Sequence, residues 1–375
     1  MNIGIIKEPI HENRVVLLPE AVKELKKLGV SVLIESGAGE RSFSSNQQYL
    51  EEGAEISDRK SVLSKSDLII SINPIEIQEL ADVKADVVLI SAFNPLANHD
   101  YVNAILQKQL TSFSLDMIPR VTRGQAMDIL SSMATVAGYR AVLDAAMRLP
   151  KFFPMFMTAA GTITPAKILI LGAGVAGLQA VATSRKLGAQ VFVFDVRPEV
   201  KEQVMSLGGK FVEVEGALSD VAAGGYAVEQ TEDFKLRQQE AIHNQAIKSD
   251  VLICTAQIPG KKAPLLIKKE TVEAMKPGSV IIDIAASTGG NCELTIDKET
   301  VMVNGVQIVG QSLYPSTMPM DASKMFGKNV INLLKLMVDK TGTLQLNFDD
   351  EIVAGCCITH KNEIINQRVK SLIIK

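Results

Sequence analysis

The sequence predicts an α/β fold: two Rossmann-like, doubly wound domains with mostly parallel sheets, the C-terminal segment returning to the first domain. Three observations carry this. Short apolar, β-branched runs alternate with amphipathic helical stretches between residues 2 and 116, and again after residue 167. Residues 167–195 hold a glycine-rich turn between a strand-like run and a helical one. The 375 residues are 47% hydrophobic and 22% charged, enough for two cores in an ordinary globular chain.

In order, residues 2–6 read as a strand, 19–28 as an amphipathic helix stopped by Gly29, and 30–35 as a second strand. A helix follows at 46–52, ended by Gly53. Apolar runs at 67–72, 86–91 and 112–116 read as strands, with a helix at 98–109. This half lacks a glycine fingerprint, so it is expected not to hold a dinucleotide by itself. From the residues alone, 120–128 reads as a solvated loop opening a crossing region, and 133–149 as a long connecting helix.

The second half opens on a buried strand at 167–171, followed directly by Gly172, Gly174 and Gly177. Apolar residues recur at helical spacing over 175–187, Gly188 sits where a left-handed cap belongs, and a strand at 190–194 ends on Asp195. That order is the dinucleotide fingerprint, G-x-G-x-x-G with an acid about 20 residues on. The first glycine makes the turn, the second lets a pyrophosphate approach the helix N-terminus, and the third lets helix and strand pack closely. Ala173, Val175 and Ala176 complete the phosphate turn. Asp195 would accept hydrogen bonds from a ribose diol and repel a 2′-phosphate, which selects NAD(H) over NADP(H). Val196 adjoins it, and Arg197 reads either as a cation over the adenine face or as a solvated side chain.

Beyond it, a helix is expected at 198–207, strands at 210–214 and 251–256, a helix at 269–275, and strands at 279–285 and 307–310. Residues 215–233, with Gly224, Gly225 and Tyr226, show no periodicity. Thr255, Ala256, Gln257, Pro259 and Gly260 follow a strand's carboxyl end, where open α/β sheets place ligands, and 285–290 faces the same crevice. An amphipathic helix at 321–339 and a tail of short strand-like pieces are assigned to the first domain. The expected domains are therefore 1–132 with 322–375, and 133–321.

A net charge of −3 gives no support for nucleic acid or an anionic membrane surface as partner. No apolar run is long enough to span a membrane, and the N-terminus reads as a strand rather than a signal peptide. Cys254, Cys292, Cys356 and Cys357 lack metal-ligand spacing and suit small buried positions in a reduced cytoplasm. His11, His99, His243 and His360 are scattered.

Further motifs narrow the reading: Pro-Arg-Val-Thr-Arg-Gly-Gln-Ala-Met-Asp at 119–128, Ala-Gly-Tyr-Arg-Ala-Val at 137–142 and Met-Thr-Ala-Ala-Gly-Thr at 157–162. Gly-Gly-Tyr at 224–226, Ile-Pro-Gly-Lys at 258–261 and Gly-Gly-Asn-Cys at 289–292 follow. With these in order, nearly the whole chain resembles the NAD(H)-binding component of proton-translocating NAD(P) transhydrogenases, and more distantly alanine dehydrogenases. The resemblance implies that Arg120, Gln125 and Asp128 meet the nicotinamide end of the cofactor as the catalytic set, with Ser131 as a further contact. Chemically, arginine suits a pyrophosphate or carboxamide oxygen, glutamine the nicotinamide ribose, and aspartate the arginine's fork. Tyr226, with Gly225, matches a mobile loop that closes over the nucleotide. The resemblance further implies a homodimer, NADP(H) held on a partner subunit, and membrane-spanning partners that attach the chain to the cytoplasmic face of the cell membrane. Those partners are expected as separate polypeptides, since the chain reaches Lys375 without a span.

Departures matter too. In alanine dehydrogenases the position of Arg14 holds a substrate carboxylate, while a lysine, a histidine and an aspartate serve elsewhere. Here the corresponding stretches read Ser71-Ile72-Asn73, Ser91-Ala92-Phe93 and Ser287-Thr288. Oxidising an amino acid moves protons as well as hydride, and none of these side chains shuttles a proton at neutral pH. Hydride exchange between two nicotinamides needs no such group. The expected activity is therefore direct hydride transfer, with an alanine-dehydrogenase-like oxidoreductase and a catalytically silent NAD sensor as rivals.

Overall fold

The computed structural model describes residues 1–214, 216, 231–258 and 260–373. The chain divides into two compact units, Met1–Met133 with Pro315–Lys375, and Ala134–Tyr314.

The first unit starts with six parallel strands: β1 (Asn2–Ile5), β2 (Ser31–Glu35), β3 (Glu55–Ser57), β4 (Leu68–Ile70), β5 (Val88–Ser91) and β6 (Thr111–Ser114). The β-branched and leucine side chains of β1, β2, β4 and β5 are buried on both faces, as parallel strands covered by helices require. Two of the intervening helices, Asn46–Glu51 and Arg59–Lys65, start on side-chain caps, at Ser45 in a capping box with Gln48 and at Asp58, which accepts from Ser61 N.

The second unit carries a hairpin of β7 (Phe156–Thr158) and β8 (Gly161–Ile163), then a seven-stranded sheet. Its members are β9 (Lys167–Leu171), β10 (Gln190–Phe194), β11 (Lys210–Phe211), β12 (Val251–Cys254), β13 (Val280–Asp283), β14 (Thr300–Val303) and β15 (Val306–Gly310). Strand order is β11-β10-β9-β12-β13-β15-β14, with only β14 antiparallel. The order reverses between β9 and β12, and the carboxyl ends of these two strands form the crevice where such sheets bind ligands. Leu169 and Leu171 pack on one face, Ile168 and Ile170 on the other.

After helix Pro319–Met337, β16 (Cys357–His360) and β17 (Glu363–Ile364) pair antiparallel on the β6 edge. The C-terminal segment thus completes an eight-stranded sheet, β17-β16-β6-β5-β4-β1-β2-β3.

Several boundaries differ from the sequence expectation for local reasons. The connecting helix spans Ile129–Arg148 and starts before residue 133, because Asp128 accepts from Ser131 N at 2.9 Å and Ser131 Oγ at 2.5 Å. The helix expected at 198–207 is a 3-10 turn, Pro198–Val200, followed by helix Lys201–Ser206. The expected strand 210–214 keeps its ladder only over Lys210–Phe211. The return to the first unit begins at Pro315, ahead of the expected 322. Tyr314 donates its hydroxyl to Asp144 within the second unit at 2.6 Å, while Ser316 Oγ accepts from Asn13 N in the first at 2.8 Å. Hairpin β7–β8 and edge strand β14 were not anticipated.

Candidate functional site

The glycine turn has the geometry its sequence implies. Gly172 adopts φ +100°, a left-handed conformation that side chains rarely tolerate. A Cβ on Gly177 would stand 1.9 Å from Gly172 O, so only glycine lets the helix approach the turn. Gly174 is the N-cap of helix Val175–Lys186, and a Cβ there would meet nothing within 4 Å. Open space therefore lies at a helix N-terminus whose first N–H groups have no intrahelical acceptors. Together with the helix dipole this is a cradle for an anion, and a dinucleotide's pyrophosphate fits it. Ala173, Val175 and Ala176 lie in this turn and first helical residues, beside Thr255, whose Oγ1 donates to Leu171 O at 3.0 Å and Gly172 O at 3.1 Å.

Asp195 directly follows β10 and ties the turn to its neighbour. Its carboxylate accepts from Ala173 N at 2.6 Å, from Arg197 N and Nε at 2.9 Å, and from Arg197 Nη2 at 2.8 Å. The Arg197 guanidinium forks onto Asp195, so it is not merely a solvated side chain. Hydrogen bonding to Asp195 raises the arginine's pKa further above its usual range. Asp195 thus carries a counter-charge, which weakens the repulsion of a 2′-phosphate expected from an unpaired carboxylate. Arg197→Ala should expose that charge, and NADPH binding should weaken severalfold relative to NADH in equilibrium titrations. An unchanged ratio would show that Arg197 does not screen the site.

Beside this pair, a cavity of about 180 Å³ is lined by Phe194, Val196, Phe211 and Phe234, with Lys201 and Glu213 among its polar residues. At the end of β12, Asn291 brackets the next loop: it accepts from Ala256 N at 3.0 Å and donates to Ala256 O at 2.9 Å and Pro264 O at 2.8 Å. Asn291 N in turn donates to Asp283, which also accepts from Ala285 N, Cys292 N and Thr295 Oγ1. Burial outweighs these bonds and pushes the Asp283 carboxyl above its usual range. Gln257 donates to Ile284 O at 3.3 Å and Gly260 takes φ +71°. The Asp283–Asn291 brace was not read from the sequence, although Gly-Gly-Asn-Cys at 289–292 marked its place.

In the first unit, residues 122–127 of the stretch 119–128 form a 3-10 helix, Thr122–Met127. Arg120 and Gln125 are exposed, and Gly124 is buried in the turn. Asp128 has its oxygens on Ser131 N and Oγ, so it also serves as the start of helix Ile129–Arg148.

The sequence pattern of the alanine dehydrogenase/PNT N-terminal domain matches residues 4–137, and that of the C-terminal domain matches 141–367. The chain belongs to the alanine dehydrogenase/PNT family. Within it, the chain is 44% identical to the first segment of NAD(P) transhydrogenase subunit alpha from Rhodospirillum rubrum over 376 residues, 98% of each chain. The crystal structure of transhydrogenase from Sinorhizobium meliloti superposes with a TM-score of 0.89 at 39% identity, covering 97% of this chain and all of that one. The alanine dehydrogenase of Bacillus subtilis is 30% identical over 331 residues, 85% of this chain and 81% of that one.

Between these branches of the alanine dehydrogenase/PNT family, the side chains of the first unit discriminate. Arg14 is buried, bonds both oxygens of Glu12 through Nε and Nη2 at 2.8 and 2.6 Å, and lies over the Phe326 ring. A guanidinium so engaged is poorly placed to take a substrate carboxylate. Glu8, which the sequence reading did not weigh, is the titratable group beside Ser71-Ile72-Asn73. Burial raises its pKa, but both its oxygens already accept, from Ile72 N, Asn73 N and Asn73 Nδ2. Ser71 Oγ donates to Asn73 O. Glu8 and Ser71 thus spend their polar atoms on hydrogen bonds within this stretch. Gly224, Gly225, Tyr226 and Pro259 lie outside the described residues. Among the described residues no helix is long and apolar enough to cross a membrane.

Proposed function

We propose that this chain is the NAD(H)-binding subunit of a proton-translocating transhydrogenase, passing hydride directly between NADH and NADP⁺ held by a partner subunit. The observation that carries this reading is the open cradle at Gly174, where a side chain's space is left at a helix N-terminus. The engaged state of Arg14 and Glu8 supports the transhydrogenase branch over amino-acid oxidation, and similarity to transhydrogenase alpha subunits supports it independently.

When bound, NADH supplies the hydride. The chain's own part is positioning. N–H groups of Gly174 to Gly177 hold the pyrophosphate, and Asp195 with Val196 holds the adenosine ribose. The ring-lined cavity takes the adenine. Thr255, Ala256, Gln257, Pro259 and Gly260 line the continuation towards the nicotinamide. Arg120, Gln125, Asp128 and Ser131 serve the nicotinamide end, and Gly225 with Tyr226 closes over the nucleotide. No side chain is asked to take a proton, in keeping with a direct exchange between two nicotinamides.

The partners are an NADP(H)-binding subunit and membrane-spanning subunits that couple the exchange to proton movement and keep the chain at the cytoplasmic face. A second copy of the chain completes the assembly. Hairpin β7–β8 supports this: Phe156 and Met157 are 42% and 77% exposed, and a two-stranded hairpin is marginal in water without cover. Mixed with a soluble NADP-binding component of a transhydrogenase, the chain should transfer hydride from NADH to NADP⁺, and alone it should not reduce NAD⁺ with L-alanine. The opposite pair of results would favour the alanine dehydrogenase rival.

A further inference from the structure

The turn bearing Gln125 is held by the returning C-terminal segment. Ala126 O accepts two hydrogen bonds, from Asn329 Nδ2 and from Asn332 Nδ2, each at 2.9 Å. The two asparagines lie three residues apart on helix Pro319–Met337, so their side chains share a face. With both bonds made, the acceptor capacity of this carbonyl is filled and the plane of its peptide is fixed.

The same segment grips the turn on either side. Asp350 accepts from Arg123 Nη2 at 2.5 Å and caps helix Glu351–Cys356 through Ile352 N at 2.9 Å. A Cβ on Gly355 would stand 2.3 Å from Pro119 Cγ, so the backbone there lies directly against the start of the loop. The hydrogen-bonded partners are 203, 206 and 227 residues away in sequence. The backbone of 119–128 is clamped while Arg120 and Gln125 remain exposed. A rigid backbone that presents exposed side chains is how a positioning device is built.

Stability alone does not explain the clamp. Asn329 is 7% exposed and its Oδ1 has no hydrogen-bond partner, a cost that an apolar residue would not carry.

We propose that Asn329 and Asn332 are positioning residues for hydride transfer, setting the Gln125 side chain through the Ala126 carbonyl. The inference rests on the proposed role of Gln125. Asn332 is half-buried where Asn329 is buried, so it is the safer of the two to change. Asn332→Asp keeps the size but removes the donor and turns a negative oxygen towards a carbonyl. Asn332→Gln keeps a donor. Both full-length variants are assayed with a soluble NADP-binding transhydrogenase component at saturating NADH and NADP⁺. Melting temperature and the affinity for ADP-ribose, a probe without a nicotinamide, are measured alongside.

The expected result is a rate about tenfold lower for Asn332→Asp, with melting temperature and ADP-ribose affinity unchanged and most of the rate recovered by Asn332→Gln. An unchanged rate in Asn332→Asp overturns the inference, as does a lower rate accompanied by an equal loss of ADP-ribose affinity. Equal impairment by Asn332→Gln also overturns it, since the donor would then not matter. Absence of transfer by the unaltered chain with any such component overturns the proposed function, and this inference with it.

Discussion

Gln125→Asn is expected to slow hydride transfer by about 100-fold at saturating nucleotides while changing NADH affinity far less. Shortening the side chain by one methylene withdraws its amide by roughly 1 Å, and a reaction that depends on near-attack geometry loses about that factor for such a displacement. Because Gln125 is exposed on an ordered 3-10 turn, the substitution leaves packing intact. Stopped-flow transfer and equilibrium binding, measured on the same preparation, separate the two effects. A variant that binds NADH weakly but transfers at the normal rate when saturated would reduce Gln125 to an anchor.

The second large effect lies in the glycine turn, where two substitutions should part company. Gly174→Ala places its methyl in open space, so the fold is expected to keep its melting temperature. NADH affinity should fall on the order of 100-fold, roughly 2.7 kcal/mol, because the methyl occupies the approach of the pyrophosphate to the helix N–H groups. Gly177→Ala instead drives a methyl to within 1.9 Å of Gly172 O, a backbone atom that cannot swing away. Overpacking of that kind costs about 1–3 kcal/mol, so this variant should lose both stability and binding. Thermal melts with and without NADH check the contrast. Retained affinity in Gly174→Ala would place the pyrophosphate elsewhere.

Much of this was legible in the sequence because the relevant signals are local. The fingerprint from residue 167 to Asp195 combines turn, helix and strand signals within one continuous stretch, and Gly172 makes the turn and Gly177 the close packing that their spacing implies. The alternation of strands and helices gave the parallel sheets in the same way. What escaped was non-local or conditional. The 3-10 turn at 122–127 has little pattern of its own and is shaped by Asn329, Asn332 and Asp350, which arrive from the far end of the chain. The Arg197 fork on Asp195 depends on the rotamer of one guanidinium, which spacing alone does not decide. Hairpin β7–β8 is exposed along its length, so it lacks the buried alternation by which strands are recognised. The Asp283–Asn291 brace joins residues eight apart around a turn, where hydrogen-bond partners follow backbone geometry rather than periodicity.

A chain that positions NADH for direct hydride transfer, and handles no proton itself, should keep the transferred atom out of contact with water. NADH deuterated at the transferring C4 position, mixed with the chain and a soluble NADP-binding transhydrogenase component in ordinary water, puts this to the test. The deuterium should appear in NADPH, with none exchanged into solvent and no transfer when either protein is omitted. Label washed out into water, or no transfer with any such component, would show that the chain does not work by direct transfer.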